Sequence, residues 1–309
     1  MLLTLFWLLL GFALLVKGAD LFVRGSSSAA RRLRIPPVVI GLTVVAMGTS
    51  LPEASVSITA ALAGSNEIAL SNVVGSNLFN LLVVAGAAAL IRPYPADRAL
   101  VRRDLPVNTL VTALLLALVW DGFLGRADGF ILLAGMALYL FFVVRAALRE
   151  RQTAEPDDRA PVSLPLCAVL IAGGLAMIVW GGDLVVDAAC VIAARLGLSE
   201  TVIGLTIVAI GTSLPELVTS VVAARRGESA LALGNVIGSN LFNILFILGA
   251  SAALSPVAVP AATLIDLGLL LALTGGTWLL CRLRPAFDRL IGGAGVALYA
   301  VYTVYILMR

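Results

Sequence analysis

The chain has 309 residues, 61% of them hydrophobic and 13% charged, with no histidine, a formal net charge of +3 and a mean hydropathy of +1.06. Soluble domains are nearer half apolar and a quarter charged, so this composition excludes a soluble globule and defines a polytopic membrane protein. The missing histidines remove zinc-protease and Ser-His chemistry, no aspartyl-protease pair stands out, and an intramembrane enzyme is not expected.

Apolar runs of about 20 residues, enough to cross roughly 30 Å of hydrocarbon as a helix, lie at 2–23, 36–63, 68–91, 105–120, 128–148, 163–187, 200–224, 229–254, 261–281 and 286–308. They predict an all-α protein with ten transmembrane helices. The first run has no positive charge before it and is matched by the run at 163–187, so it reads as a retained helix and not as a cleaved signal peptide. The second contains Gly41-Leu-Thr-Val-Val-Ala-Met-Gly-Thr-Ser-Leu-Pro-Glu53, and the third contains Asn72-Val-Val-Gly-Ser-Asn-Leu-Phe-Asn80. The fourth and fifth runs complete a first unit, residues 1–148. The markedly polar stretch 149–161 is a cytoplasmic linker, too short to be a regulatory domain.

The second unit, residues 162–309, repeats the first. Gly204 to Glu216 restates Gly41 to Glu53 at an offset of 163 positions with two conservative changes, and Asn235 to Asn243 restates Asn72 to Asn80. Asp20 and Asp183 keep the same offset. Five helices per unit is an odd number, so the second unit enters the membrane inverted, the architecture of secondary transporters. Arginines concentrate in alternate loops (Arg24, Arg31, Arg32 and Arg34; Arg92 to Arg103; Arg145 to Arg159; Arg225 and Arg226; Arg282 to Arg289), which places those loops in the cytoplasm and both termini outside. These loops also explain the pI near 9.0, so no nucleic-acid partner is implied, and no protein partner is predicted beyond the lipid bilayer. Cys167, Cys190 and Cys281 are isolated in apolar runs, without metal or disulfide spacing.

A carboxylate repeated inside apolar spans marks a duplicated ion site. In Gly48-Thr-Ser-Leu-Pro-Glu53 the glycine permits an unusual backbone angle, Thr49 or Ser50 can cap a new helix, and proline lacks the amide that a first turn leaves unpaired. Helices 2, 3, 7 and 8 are therefore expected to be broken around a site at the midplane. Breaks free carbonyls, and those of Ala46, Thr49, Ala209 and Thr212 are candidate ligands. Counting about 1.5 Å per residue through the turn at Ser65-Asn66 brings Asn80 back to the depth of Glu53, and Asn243 to that of Glu216. Such oxygen ligands suit hard cations, Ca²⁺ or Na⁺. Two carboxylates neutralise one Ca²⁺ or about two Na⁺, which limits the charge left at the membrane centre. A channel would share these ligands, but inverted repeats around a midplane site favour a carrier.

Plainer readings exist. Ser50 with Glu53, and Ser213 with Glu216, fit a capping box in which the glutamate serves its own helix start. Gly75-Ser and Gly238-Ser can be small-residue helix packing. Asp20, Asp183, Asp187 and Asp266 read as structural residues near helix ends, with Lys17 as a partner for Asp20.

The paired Gly-Thr-Ser-Leu-Pro-Glu and Gly-Ser-Asn-Leu-Phe-Asn motifs resemble the alpha repeats of the Ca²⁺/cation antiporter superfamily, most closely its prokaryotic Na⁺/Ca²⁺ exchanger branch. The resemblance implies that Glu53 and Glu216 form the central site, with Asn80 and Asn243 as further side-chain ligands. It adds flanking oxygens from Ala46, Thr49, Ser50 and Ser76, and from Ala209, Thr212, Ser213 and Ser239. No cofactor is implied, since Ca²⁺ and Na⁺ bind as transported substrates. The implied activity is Na⁺/Ca²⁺ antiport across the cytoplasmic membrane by alternating access, with helices 1 and 6 sliding on a fixed core; the alternative is H⁺/Ca²⁺ exchange. Some members carry aspartate where this chain has Asn243, which leaves ion stoichiometry open. The large Ca²⁺-sensing loop of animal exchangers has no counterpart here, so no allosteric calcium control is expected.

Overall fold

A computed structural model of the chain describes residues 1–64, 66–95, 100–153, 162–197, 207, 209–284 and 286–308. The first unit opens with helix α1 (Leu2–Leu33). Next comes a helical stretch made of α2 (Pro37–Ile40), a π-helical segment (Gly41–Val45) and α3 (Ala46–Thr49), followed by α4 (Leu51–Leu62). Then follow α5 (Asn66–Phe79), a second π segment (Asn80–Val84) and α6 (Ala85–Ile91). Strand β1 (Tyr94–Pro95) precedes a third π segment (Leu100–Asp104), α7 (Leu105–Leu118), strand β2 (Phe123–Leu124) and α8 (Arg126–Thr153). In the second unit α9 (Leu164–Arg195), α10 (Ala209–Thr212) and α11 (Leu214–Arg225) lead to α12 (Ser229–Phe242), a further π segment (Asn243–Leu248) and α13 (Gly249–Leu254). The chain ends with β3 (Val257–Ala258), α14 (Ala261–Leu283), β4 (Ala286–Phe287) and α15 (Arg289–Met308).

Among the described residues seven helical stretches are long and apolar enough to cross a membrane, or eight when Pro37–Thr49 and Leu51–Leu62 count as one bent span. The protein is thus a multi-pass membrane protein. The run expected at 105–120 is helical over Leu100–Leu118, and the run at 200–224 is helical over Ala209–Arg225, its beginning lying outside the described residues. α8 extends through Thr153, so the expected linker begins as helix, and residues 154–161 lie outside the described ones. α1 and α9 overrun their expected ends by ten and eight residues, because the apolar pattern stops before the polar residues that still continue the helix.

The expected breaks take two forms. Pro37–Thr49 and Leu51–Leu62 meet at 50° around Ser50, with Pro52 in the first turn of α4. In the second unit Ser213 interrupts the helix in the same way, with Pro215 in the first turn of α11. Helices 3 and 8 differ from the expectation: Glu67–Ile91 and Ser229–Leu254 each run as one span, and the irregularity is a widening into π winding that starts at Asn80 and at Asn243. No proline interrupts either segment, so each can change winding without a bend. These two spans are 72% and 94% buried, against 11–28% for the other five, and so form the centre of the molecule.

Small residues let the helices approach closely, as membrane packing requires. A Cβ on Gly11 would lie 2.9 Å from the Gly181 carbonyl oxygen, and one on Gly18 would lie 2.7 Å from that of Gly174. α1 therefore packs antiparallel to α9 through glycines seven residues apart on each helix. Two short ribbons join the units: β1 pairs with β4 (Tyr94 opposite Phe287), and β2 pairs with β3 (Phe123 opposite Ala258). By the offset of 163, β1 corresponds to β3 and β2 to β4. Corresponding strands thus sit in different ribbons.

Candidate ion-binding site

Each helix break puts a serine at the bend and a glutamate in the first turn beyond it. Glu53 and Glu216 are fully buried at 0% exposure. They lie close enough to interact electrostatically. The Ser50 hydroxyl donates to Glu216 Oε1 at 2.7 Å, and the Ser213 hydroxyl donates to Glu53 Oε1 at 2.9 Å. Each half of the molecule therefore serves the carboxylate of the other. Ser213 Oγ also lies 3.2 Å from Ser76 Oγ, and Ser239 Oγ lies 3.4 Å from Glu216 Oε1.

The serine half of the capping-box reading is not seen. Ser50 and Ser213 occupy the cap positions, yet neither makes a side-chain cap bond. A hydroxyl has one proton, and a carboxylate takes it in a stronger, charge-assisted bond than a backbone oxygen would. The Ala46 carbonyl, expected to be free, accepts the Ser50 amide at 3.1 Å and lies 3.4 Å from the Thr49 hydroxyl. Thr49 is buried, and its hydroxyl donates to the Val45 carbonyl at 3.1 Å and lies 3.1 Å from Asn235 Oδ1. Thr212 is half-buried and interacts with Glu53. Ala209 is the first residue of α10.

Asn80 and Asn243 are both fully buried at the first position of their π segments. Asn72 Nδ2 donates to Ser57 Oγ at 2.9 Å and lies 3.4 Å from the Glu53 carbonyl oxygen, which fixes α5 against α4. Asn243 Nδ2 donates to Asn77 Oδ1 at 3.1 Å. Buried without any partner are Glu53 Oε2, Glu216 Oε2, Asn240 Oδ1, Asn243 Oδ1 and both side-chain polar atoms of Asn80. A buried polar atom without a partner costs about 1–3 kcal/mol, and more when charged, so the oxygens in this set are candidate acceptors for a cation. All but one are oxygens. Among the described residues no group of three or more His, Cys, Asp and Glu side chains gathers, so the fixed negative charge is that of two carboxylates.

Four asparagines carry contacts that sequence reasoning assigned to no role. Asn77 Nδ2 donates to the Asn240 carbonyl at 3.2 Å, and Asn240 Nδ2 donates to that of Asn77 at 3.3 Å, a reciprocal clamp between α5 and α12. Asn72 and Asn235 do the same duty within each half, donating to Ser57 and Ser220. The signal was present in the recurrence of all four at the same offset. Asp183 and Asp187 are exposed on α9. Asp20 pairs not with Lys17 but with Arg226, because α1 packs beside the end of α11; Arg31 pairs with Glu228 at 2.7 Å on the same side.

A multi-pass helical protein whose duplicated acidic and amide motifs meet in a buried centre is, as a class, a membrane carrier for cations. The description "Sodium/calcium exchanger protein" belongs to the family whose model matches residues 3–145 and 166–308, two segments at the offset of the duplication. The chain belongs to this family of cation antiporters. It is 38% identical over 318 residues to the inner membrane protein YrbG of Escherichia coli, covering 100% of this chain and 97% of that one. It is 32% identical over 296 residues to the sodium/calcium exchanger MaX1 of Methanosarcina acetivorans, covering 83% and 85%. The solved structure of the sodium-calcium exchanger NCX_Mj soaked with zero Na⁺ and Ca²⁺ matches with a TM-score of 0.88 and 32% identity over 99% of both chains.

Proposed function

We propose that this protein exchanges Na⁺ for Ca²⁺ across the cytoplasmic membrane, with Glu53, Asn80, Glu216 and Asn243 as the principal ligands. The supporting observation is the set of buried oxygens without partners on the duplicated motifs, with one oxygen of each glutamate held by a serine of the opposite unit. A Ca²⁺ ion placed between the glutamates would meet two negative charges and several neutral oxygens, the environment a hard divalent cation requires. Na⁺ would use the same oxygens, so occupancy by one ion excludes the other. Exchange follows from that competition.

The proposed frame is ten spans in two inverted five-helix units with both termini outside. The antiparallel pairing of α1 with α9 and the crossed ribbons support it, because equivalent elements of the two units run in opposite senses. α1 and α9 would be the elements that move, alternately exposing the site to either face.

The deciding experiment is ⁴⁵Ca²⁺ uptake into proteoliposomes loaded with Na⁺ at matched pH. Uptake that requires the outward Na⁺ gradient and is absent from K⁺-loaded vesicles is the expected result. Uptake driven by a pH jump alone would replace this reading with H⁺/Ca²⁺ exchange, and uptake without any counter-ion would replace it with a channel.

A further inference from the structure

A groove of about 910 Å³ lies on the outer surface between α7 and α8, away from the glutamates. Its floor and walls are apolar along most of its length. Leu110 and Leu114 of α7 face Leu138 and Phe142 of α8, with Leu245 of the fourth π segment behind them. Leu110 is 68% exposed and Leu138 57%. In a membrane-spanning chain these side chains meet acyl chains.

One end of the groove has a different chemistry. Arg145 and Arg149 follow Leu138 and Phe142 on the same face of α8, four residues apart, and both are exposed. Among the described residues neither has a carboxylate partner, whereas Arg103 at the same end is held by Asp104 at 2.9 Å. The Tyr139 hydroxyl lines the groove, lies near the Arg103–Asp104 pair, and is buried with no hydrogen-bond partner. A buried hydroxyl without a partner in a basic, half-open groove marks a place where an acceptor is missing. The distribution of arginines among the loops puts this end at the cytoplasmic surface, the side on which basic pockets between helices recognise anionic headgroups.

We propose that this groove binds one anionic phospholipid, its phosphate held by Arg145, Arg149 and the Tyr139 hydroxyl and an acyl chain lying along Leu110, Leu114, Leu138 and Phe142. The basic end supplies the charge complementarity, and the apolar length supplies the reason for a lipid in place of a free phosphate. The site stands apart from the ion pathway and does not depend on which cations are exchanged.

The test is native mass spectrometry of the full-length protein in detergent with phosphatidylglycerol, phosphatidylcholine or glycerol 3-phosphate. Phosphatidylglycerol should be retained in preference to phosphatidylcholine, and glycerol 3-phosphate should not displace it. The R145Q/R149Q variant, altered only at exposed positions, should bind phosphatidylglycerol roughly 30-fold more weakly, from the loss of two basic residues beside an anionic headgroup. Leu110→Trp, which fills the groove, should weaken both lipids alike. Equal retention of the two lipids by the unaltered protein, or an unchanged preference in R145Q/R149Q, would overturn the proposal. So would displacement by glycerol 3-phosphate, which would identify a site for soluble anions.

Discussion

At the residue scale the informative geometry is the exchange of serines between halves. Glu53 and Glu216 each keep one oxygen in a bond to the other unit and one oxygen without a partner. Glu53→Gln and Glu216→Gln keep the shape and remove the charge, so each should abolish Ca²⁺ flux in proteoliposomes while leaving expression intact. Wild-type rates in either variant would remove these residues from the site. Ser50→Ala and Ser213→Ala should act as a matched pair. Each deletes a hydrogen bond to a charged group, an interaction of about 1.5–3 kcal/mol, so a roughly tenfold or greater loss of apparent Ca²⁺ affinity is expected for both. Unequal effects, read from the concentration dependence of uptake, would show that the two halves are not equivalent in ion binding. The acids and amides were legible in the sequence because duplication marks them twice. The bonding of the serines was not, since the spacing from Ser50 to Glu53 describes a cap within one helix and is blind to a partner 166 residues away. Asn77 and Asn240 escaped for the same reason: their clamp exists only once α5 and α12 cross.

At the scale of elements, the ends and windings of helices were the least legible part. The apolar runs located every described helix. They did not reveal that helices 3 and 8 pass the site by widening into π turns at Asn80 and Asn243, because hydrophobic pattern reports which face is buried and not which carbonyl each amide chooses. The α1–α9 contact was equally hidden. Gly11, Gly18, Gly174 and Gly181 acquire meaning only when the helices are laid antiparallel, with backbone oxygens in the space a side chain would take. Gly18→Leu should therefore destabilise the protein by about 1–3 kcal/mol or more through overpacking, seen as a lower midpoint of thermal unfolding in detergent. Gly173→Ala is the control, because a Cβ there meets nothing within 4 Å. Similar midpoints for the two variants would mean that α1 and α9 separate readily and that the close approach does not hold them together.

At the scale of the whole molecule, the proposed topology rests on an odd number of spans per unit, and the ribbons offer a way to test it. Asp121 precedes β2 in the first unit, and Arg284, its equivalent at the offset of 163, precedes β4 in the second. Both are exposed. If the units are inverted, two positions that the duplication makes equivalent must face opposite sides of the membrane. A simple tandem array would place them on the same side. With the half-buried Cys190 changed to serine, and with Cys167 and Cys281 already buried, Asp121→Cys should react with a membrane-impermeant maleimide added to intact cells. Arg284→Cys should react only after permeabilisation. Labelling of both from one side would refute the inverted arrangement and with it the convergence of two equivalent glutamates on one site. Opposite labelling would mean that a single ancestral five-helix unit, read in both directions across the bilayer, supplies a site whose two halves can open in turn to the two faces of the membrane.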